Sequence, residues 1–198
     1  MAPARVQLYW FGFLTAAGHI GGHGTSLTLV VTLGERSSDC IEPLLADLAT
    51  ERVRCEFCHS SIVGWQAYLR DQYLCKALVP WGIPSDLHGD DPALLGDLPK
   101  EFVTPFIRGY ADGNRISHRS PGSRKSSGFT LRGTSAILTR LNAIIQRHWA
   151  VSGGVVTEGR DRAQLRFSDP EACRAIQSRL DTVASRVPAE SAHPAPRR

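Results

Sequence analysis

Long apolar runs are missing from this 198-residue chain. None approaches the roughly 18 residues that a membrane-crossing helix needs, so no membrane is expected as a partner. The opening residues, Met1 to Arg5, lead straight into aromatic residues without the apolar stretch of an export signal, and a cytoplasmic protein is expected. Cysteine is sparse: Cys40, Cys55, Cys58, Cys75 and Cys173. An odd number without an export signal argues against a disulfide scaffold. Cys55, Cys58 and His59 have the spacing of half a zinc site, but no second Cys-x-x-Cys exists, and only Cys75 and His88 could complete it. Nothing resembles a Ser-His-Asp set. Gly18, Gly21, Gly22 and Gly24 do not fit a dinucleotide or P-loop fingerprint, and the pair Gly21-Gly22 reads as turn chemistry.

Lysine is scarce too, at 3 of the 23 basic residues, the other 20 being arginine. Arginine suits phosphates and base edges because its donors form a planar fork. The net charge of +4 conceals an asymmetry. Residues 1–100 carry 7 basic and 11 acidic side chains, whereas residues 101–180 carry 13 and 6. The second half is therefore strongly basic, which favours a polyanionic partner. At 42% apolar and 21% charged residues the chain is globular, and its length suits one domain or two small halves sharing a core.

Element order repeats along the chain. Residues 6–17 form an apolar helix, ended by Gly18 and the Gly21-Gly22 pair; residues 25–33 alternate as a strand, and residues 38–50 have helical spacing. Two strands, 53–59 and 64–70, and a helix, 71–80, follow. Residues 83–99 form a linker rich in proline, glycine and aspartate. The second series opens with a helix over 100–112, then a hairpin of strands 115–119 and 128–132, and a helix over 134–149 capped by Thr134 or Ser135. Strands 155–158 and 162–168 precede a final helix opened by Asp169 and Pro170, and residues 185–198 read as a disordered tail.

This predicts an α+β fold of two pseudo-symmetric α-β-β-α-β-β-α units, residues 5–82 and 100–184. Each unit would be a four-stranded antiparallel sheet with helices on one face only. The uncovered face then shows what the sheet is for. In the second unit it would carry Thr130, Arg132, Arg162, Gln164 and Arg166, a donor and acceptor set that reads base edges, with Arg115, His118, Arg119, Arg124 and Lys125 of the hairpin apt for phosphates. In the first unit it would carry Thr28, Thr32, Arg54, Gln66 and Arg70. The competing reading is an ordinary solvated sheet with an arginine surplus.

Two segments carry a family likeness. Tyr9-Trp10-Phe11-Gly12-Phe13-Leu14-Thr15-Ala16-Ala17-Gly18-His19 resembles the first motif of the LAGLIDADG homing endonucleases, and Phe106-Ile107-Arg108-Gly109-Tyr110-Ala111-Asp112-Gly113-Asn114-Arg115 resembles the second. The stretch from Cys75 to Pro84 resembles the segment that these proteins place before the second motif. The resemblance implies that the two motif helices pack together through Gly12, Phe13, Ala16, Gly109 and Tyr110, and that the sheets form a saddle over double-stranded DNA. It also implies magnesium, held by an acidic residue at the foot of each motif helix. This chain departs there. Ala17 stands at the first acidic position. An ungapped match puts Asn114 at the second, whereas a one-residue gap would bring Asp112 into that place. His19 and His23 follow the first motif, as phosphate contacts or proton relays, and Glu35 and Asp39 are the nearest other acids.

The resulting expectation is a monomeric protein that binds duplex DNA sequence-specifically, has lost cleavage, uses no cofactor and acts as a transcriptional regulator. One alternative is a magnesium-dependent endonuclease or nickase that uses Asp112; another is a protein-interaction module on the same scaffold.

Overall fold

Residues 3–17 are apolar nearly all round, which suits a helix buried on every side rather than one lying on a surface. In a computed structural model that describes residues 3–23, 26–34, 41–48, 54–60, 64–85, 95, 98–117, 128–159 and 162–186, this helix is central. It is α1 (Pro3–Ala17), with Tyr9, Trp10, Phe13 and Leu14 fully buried. The first unit continues through β1 (Gly18–His23), β2 (Ser26–Gly34), α2 (Ile41–Leu48), β3 (Arg54–Ser60), β4 (Gly64–Arg70) and α3 (Gln72–Leu78), with a 3-10 turn over Val79–Trp81. The second unit runs through α4 (Lys100–Ser117), β5 (Phe129–Gly133), α5 (Ser135–Trp149), β6 (Val155–Thr157), β7 (Ala163–Phe167) and α6 (Pro170–Asp181). No described helix is long and apolar enough to cross a membrane.

The two-unit α+β architecture expected from the element order is observed. The first sheet has the antiparallel order β1-β2-β4-β3, and the second has β5-β7-β6. Two local expectations need correction. Gly18, Gly21 and Gly22 do not merely end a helix: residues 18–23 are the edge strand β1, paired with β2 from Gly18↔Val31 to His23↔Ser26. Glycine is a poor strand former, so this strand depends on its partners. A parallel bridge from Ile20 to Ser85 supports its other side, with the Ile20 amide donating to the Pro84 carbonyl at 2.7 Å. Residues 115–117 are helical rather than the start of a hairpin, because α4 runs on through Ser117. The second sheet thus has three strands among the described residues.

Local chemistry explains the helix starts. Thr134 caps α5, accepting the Ile137 amide at 3.3 Å. Asp169 caps α6 by accepting the amides of Glu171 and Ala172, and these bonds hold its carboxyl below the usual range. Strand alternation sorts side chains between faces. Leu27, Leu29, Val31 and Leu33 of β2, with Ala67 and Leu69 of β4, enter the first core; Leu131, Ala163, Leu165 and Phe167 enter the second.

The two cores meet where α1 and α4 cross. A methyl group on Gly12 would overlap the Phe106 carbonyl and lie 3.0 Å from the Tyr110 nitrogen. Reciprocally, a methyl group on Gly109 would overlap the Tyr9 carbonyl and lie 3.0 Å from the Phe13 nitrogen. One on Gly113 would stand 2.6 Å from the Phe13 oxygen and 3.0 Å from the Ala16 methyl. The helices therefore touch backbone to backbone.

This seam yields a stability prediction. Alanine is better than glycine in a helix by about 1 kcal/mol. Overpacking costs about 1–3 kcal/mol or more, and here the opposing atoms are backbone, which has no rotamer to change. Gly109→Ala and Gly12→Ala should each lower stability in chemical denaturation by about 2 kcal/mol or more. An unchanged midpoint in either variant would refute the backbone contact.

Candidate nucleic-acid interface

The reciprocal contacts along the seam decide which residues of the two units correspond. The shift that carries Tyr9 to Phe106, Gly12 to Gly109 and Phe13 to Tyr110 carries Ala17 to Asn114 and Thr15 to Asp112. The ungapped register is therefore the structural one, and Asp112 is the counterpart of Thr15.

Each of these residues has a defined local task. Ala17 ends α1 and is buried. Asn114, also buried, uses its whole amide on one backbone residue of β5. Its Oδ1 accepts the Arg132 N–H at 2.5 Å, and its Nδ2 donates to the Arg132 carbonyl at 3.0 Å. The Tyr110 hydroxyl donates to that same carbonyl at 2.8 Å. Arg132 pairs with Gln164 on the β7 side, so Asn114 serves the opposite edge of β5 as a one-residue strand partner.

Asp112 faces another way. Its Oδ2 accepts the Tyr9 hydroxyl at 2.8 Å, Arg108 Nε at 3.1 Å and the Ser185 hydroxyl at 2.7 Å. These partners belong to helices and to the segment after α6, not to either sheet. Ser185 and Arg186, expected to begin a disordered tail, are held there. The Arg186 amide donates to the Tyr9 hydroxyl at 3.2 Å, and its guanidinium lies 3.4 Å from Asp47 of α2. Residues 187–198 lie outside the described residues. His19 stands exposed on β1, while the side chains of His23, Glu35 and Asp39 lie outside the described set.

The outer faces of the sheets carry the rest. In the second sheet the cross-strand rows are Thr130–Arg166–Val155 and Arg132–Gln164–Thr157. Arg132, Arg162 and Arg166 are exposed, and Thr130 and Gln164 are half-buried. Among the described residues, the guanidinium groups of Arg132 and Arg166 have no side-chain partner. In the first sheet Thr28, Thr32, Gln66 and Tyr68 are half-buried on the outer face. Its chemistry is more self-contained. Arg70 pairs with Glu56 at 3.0 Å, both well exposed, and Tyr68 donates to Gln66 at 3.0 Å. The backbone of Arg54 lies opposite Arg70 on β3. The backbone of Arg115 lies in α4, and His118, Arg119, Arg124 and Lys125 lie outside the described residues.

Cys55 and Cys58 are placed on opposite faces of β3 by strand alternation, and Cys75 is buried in the first core with its thiol pushed up to about 11 by burial. His88 lies outside the described residues. Sequence reading did not foresee Glu56 as the partner of Arg70, nor Ser185 on Asp112. Strand alternation carried the first signal, since Glu56 falls on the face of Cys58, opposite Cys55 and Phe57; nothing local to residue 185 carried the second.

Two predictions follow from this polar geometry. An aspartate at 114 could still accept the Arg132 N–H but would point a second oxygen at the Arg132 carbonyl. Asn114→Asp should cost about 1–3 kcal/mol at neutral pH, and the loss should shrink in acid as the carboxyl gains a proton to donate. A pH-independent loss in denaturation experiments would refute the clamp. Burial also raises the phenols of Tyr9 and Tyr110 above their ordinary value of 10.0, and the charge of Asp112 adds to the effect at Tyr9. The unfolded chain ionises near the ordinary value and the folded chain does not, so stability should fall as pH rises above about 10. Tyr9→Phe should flatten that alkaline limb, as read from midpoints across the pH range.

The arrangement of two α+β units about a glycine seam, with antiparallel sheets exposing one face, is the two-repeat LAGLIDADG homing-endonuclease fold. A structure from work on mesophilic variants of the homing endonuclease I-DmoI aligns at a TM-score of 0.66 and 10% identity, over 91% of this chain and 98% of that one. I-DmoI in complex with DNA and manganese aligns at 0.65 and 10% identity, over 92% and 99%. Full-length DUF199/WhiA from Thermatoga maritima aligns at 0.57 and 10% identity, over 90% of this chain and 56% of that one. No protein-family model matches the sequence, and no curated protein does. The motif resemblance implies magnesium between the feet of the motif helices, and among the described residues those at the helix feet do not fit it. Ala17 has no donor atom, both ends of the Asn114 amide are engaged by Arg132, and Asp112 is turned toward Tyr9, Arg108 and Ser185.

Proposed function

We propose that this protein binds double-stranded DNA site-specifically through the outer faces of its two sheets, does not cut it, and acts as a monomeric regulator in the cytoplasm. The observation that carries the reading is the pair Arg132 and Arg166, exposed on the second sheet, without a side-chain partner among the described residues and in register with Gln164 and Thr130. A planar fork left open on a polar sheet is suited to the O6 and N7 acceptors of guanine in the major groove. The absence of a carboxylate at Ala17 and Asn114 supports binding without cleavage, since metal-assisted phosphate hydrolysis relies on anionic ligands.

The two units contribute unequally in this reading. Arg70 must give up Glu56 before it can meet a phosphate or base, so the first sheet binds more weakly and the footprint is centred nearer the second unit.

Selection from randomised duplexes, followed by binding titrations at several salt concentrations, tests the proposal. Affinity should fall steeply with salt, because neutralised phosphates release counterions. Arg132→Ala or Arg166→Ala should cost about 1–3 kcal/mol and relax preference at one base pair. An equal loss on every duplex would demote these arginines to phosphate contacts. Duplex binding that does not depend on salt, or no binding, would favour a protein-interaction module. A supercoiled plasmid bearing the selected site should stay intact with magnesium or manganese; a cut or nick abolished by Asp112→Asn would overturn the loss of cleavage.

A further inference from the structure

Val155 is out of place on a polar surface. It is 62% exposed, whereas its strand neighbour Val156 packs against the second core. Its β7 partner in the register is Arg166, and Thr130 lies beyond, so it stands on the outer face at the end of the row Thr130–Arg166–Val155. The other large exposed apolar side chains, Phe57 and Tyr73, do not share this surface: Phe57 pairs with the buried Ala67 on the inward side of β3, and Tyr73 lies on α3. Among the described residues, Val155 is thus the one large, well-exposed apolar group on either reading face.

We infer that Val155 is a specificity-determining residue that contacts the C5-methyl group of a pyrimidine in the major groove, beside the base read by Arg166. This rests on the DNA-binding reading above. A branched aliphatic side chain has no donor or acceptor, and the only apolar group displayed in the major groove is a pyrimidine C5-methyl. Adjacent strands lie about 4.8 Å apart. That exceeds one base-pair rise of about 3.4 Å, so Val155 and Arg166 address different, closely spaced base pairs. Thymine and 5-methylcytosine present the same methyl group, and the experiment separates them.

The test uses the full chain and the duplex recovered by selection. Thymines near the second unit are replaced one at a time by uracil, which removes only the methyl group, and cytosines are replaced one at a time by 5-methylcytosine, which adds it. Wild-type protein should lose about fourfold in affinity at one uracil position, or gain as much at one methylcytosine, which is the worth of one buried methyl group. Loss with uracil assigns thymine; gain with methylation assigns 5-methylcytosine. In Val155→Ala the same replacement should have no effect, and in Val155→Thr, which keeps one methyl and the branched shape suited to a strand, an intermediate one. The thermal midpoint of both variants serves as the check on folding. No methyl effect at any position, or the same effect in wild type and Val155→Ala, overturns the inference while leaving DNA binding intact. Failure to select any duplex overturns the DNA-binding reading itself, and this inference with it.

Discussion

The contact on which the structure turns is the backbone-to-backbone approach of α1 and α4 at Gly12 and Gly109. No side chain separates the helices there, so their distance is set by carbonyl and amide groups, which have no rotamers. That fixes the pseudo-two-fold relation of the units and, with it, the equivalence of residues between them. It also divides the interior. Most of α1 packs into the first core, but Leu8 and Ala16 belong to the second, so neither half closes without the other.

From that equivalence follows the chemistry at the helix feet. The equivalent positions in the two units are Ala17 and Asn114, and Asn114 has a structural job that an ionised carboxylate could not perform. An amide offers a donor and an acceptor side by side, an ionised carboxylate only acceptors, and Arg132 uses both. The backbone that Asn114 holds is the one whose side chain points out from the second sheet. At a position where the motif resemblance implies an acidic residue, this chain has one that anchors the backbone of an arginine.

Much of this fold is legible in the sequence because burial has a period. The alternation in 26–34 and 163–167, the helical spacing in 135–149, and the caps at Thr134 and Asp169 are local signals, and the elements form where those signals lie. Less legible is structure that depends on distant partners. The strand Gly18–His23 reads as turn chemistry because its glycines have no strand preference, and it is made by β2 and Ser85 from outside. Helix α4 outruns the expected end near residue 112 because Gly113 sits against Phe13 and Asn114 is anchored by β5, both contacts made at long range. The identity of Asn114 was visible, but not its task. The same holds for Arg70, whose neutralising partner lies 14 residues away and becomes a neighbour only through the register of β3 with β4.

The segment after α6 alters the mechanics of the whole. Two bodies joined along a single seam can rock about it as about a hinge. Ser185 stays within the second unit, on Asp112, but Arg186 reaches across to Tyr9 on the seam and to Asp47 of α2, which is a second place of attachment away from the glycines. A second attachment of this kind opposes such rocking and favours one angle between the sheets before anything arrives between them. Any ligand spanning both sheets would meet a preorganised surface and would not bear the entropic cost of aligning it.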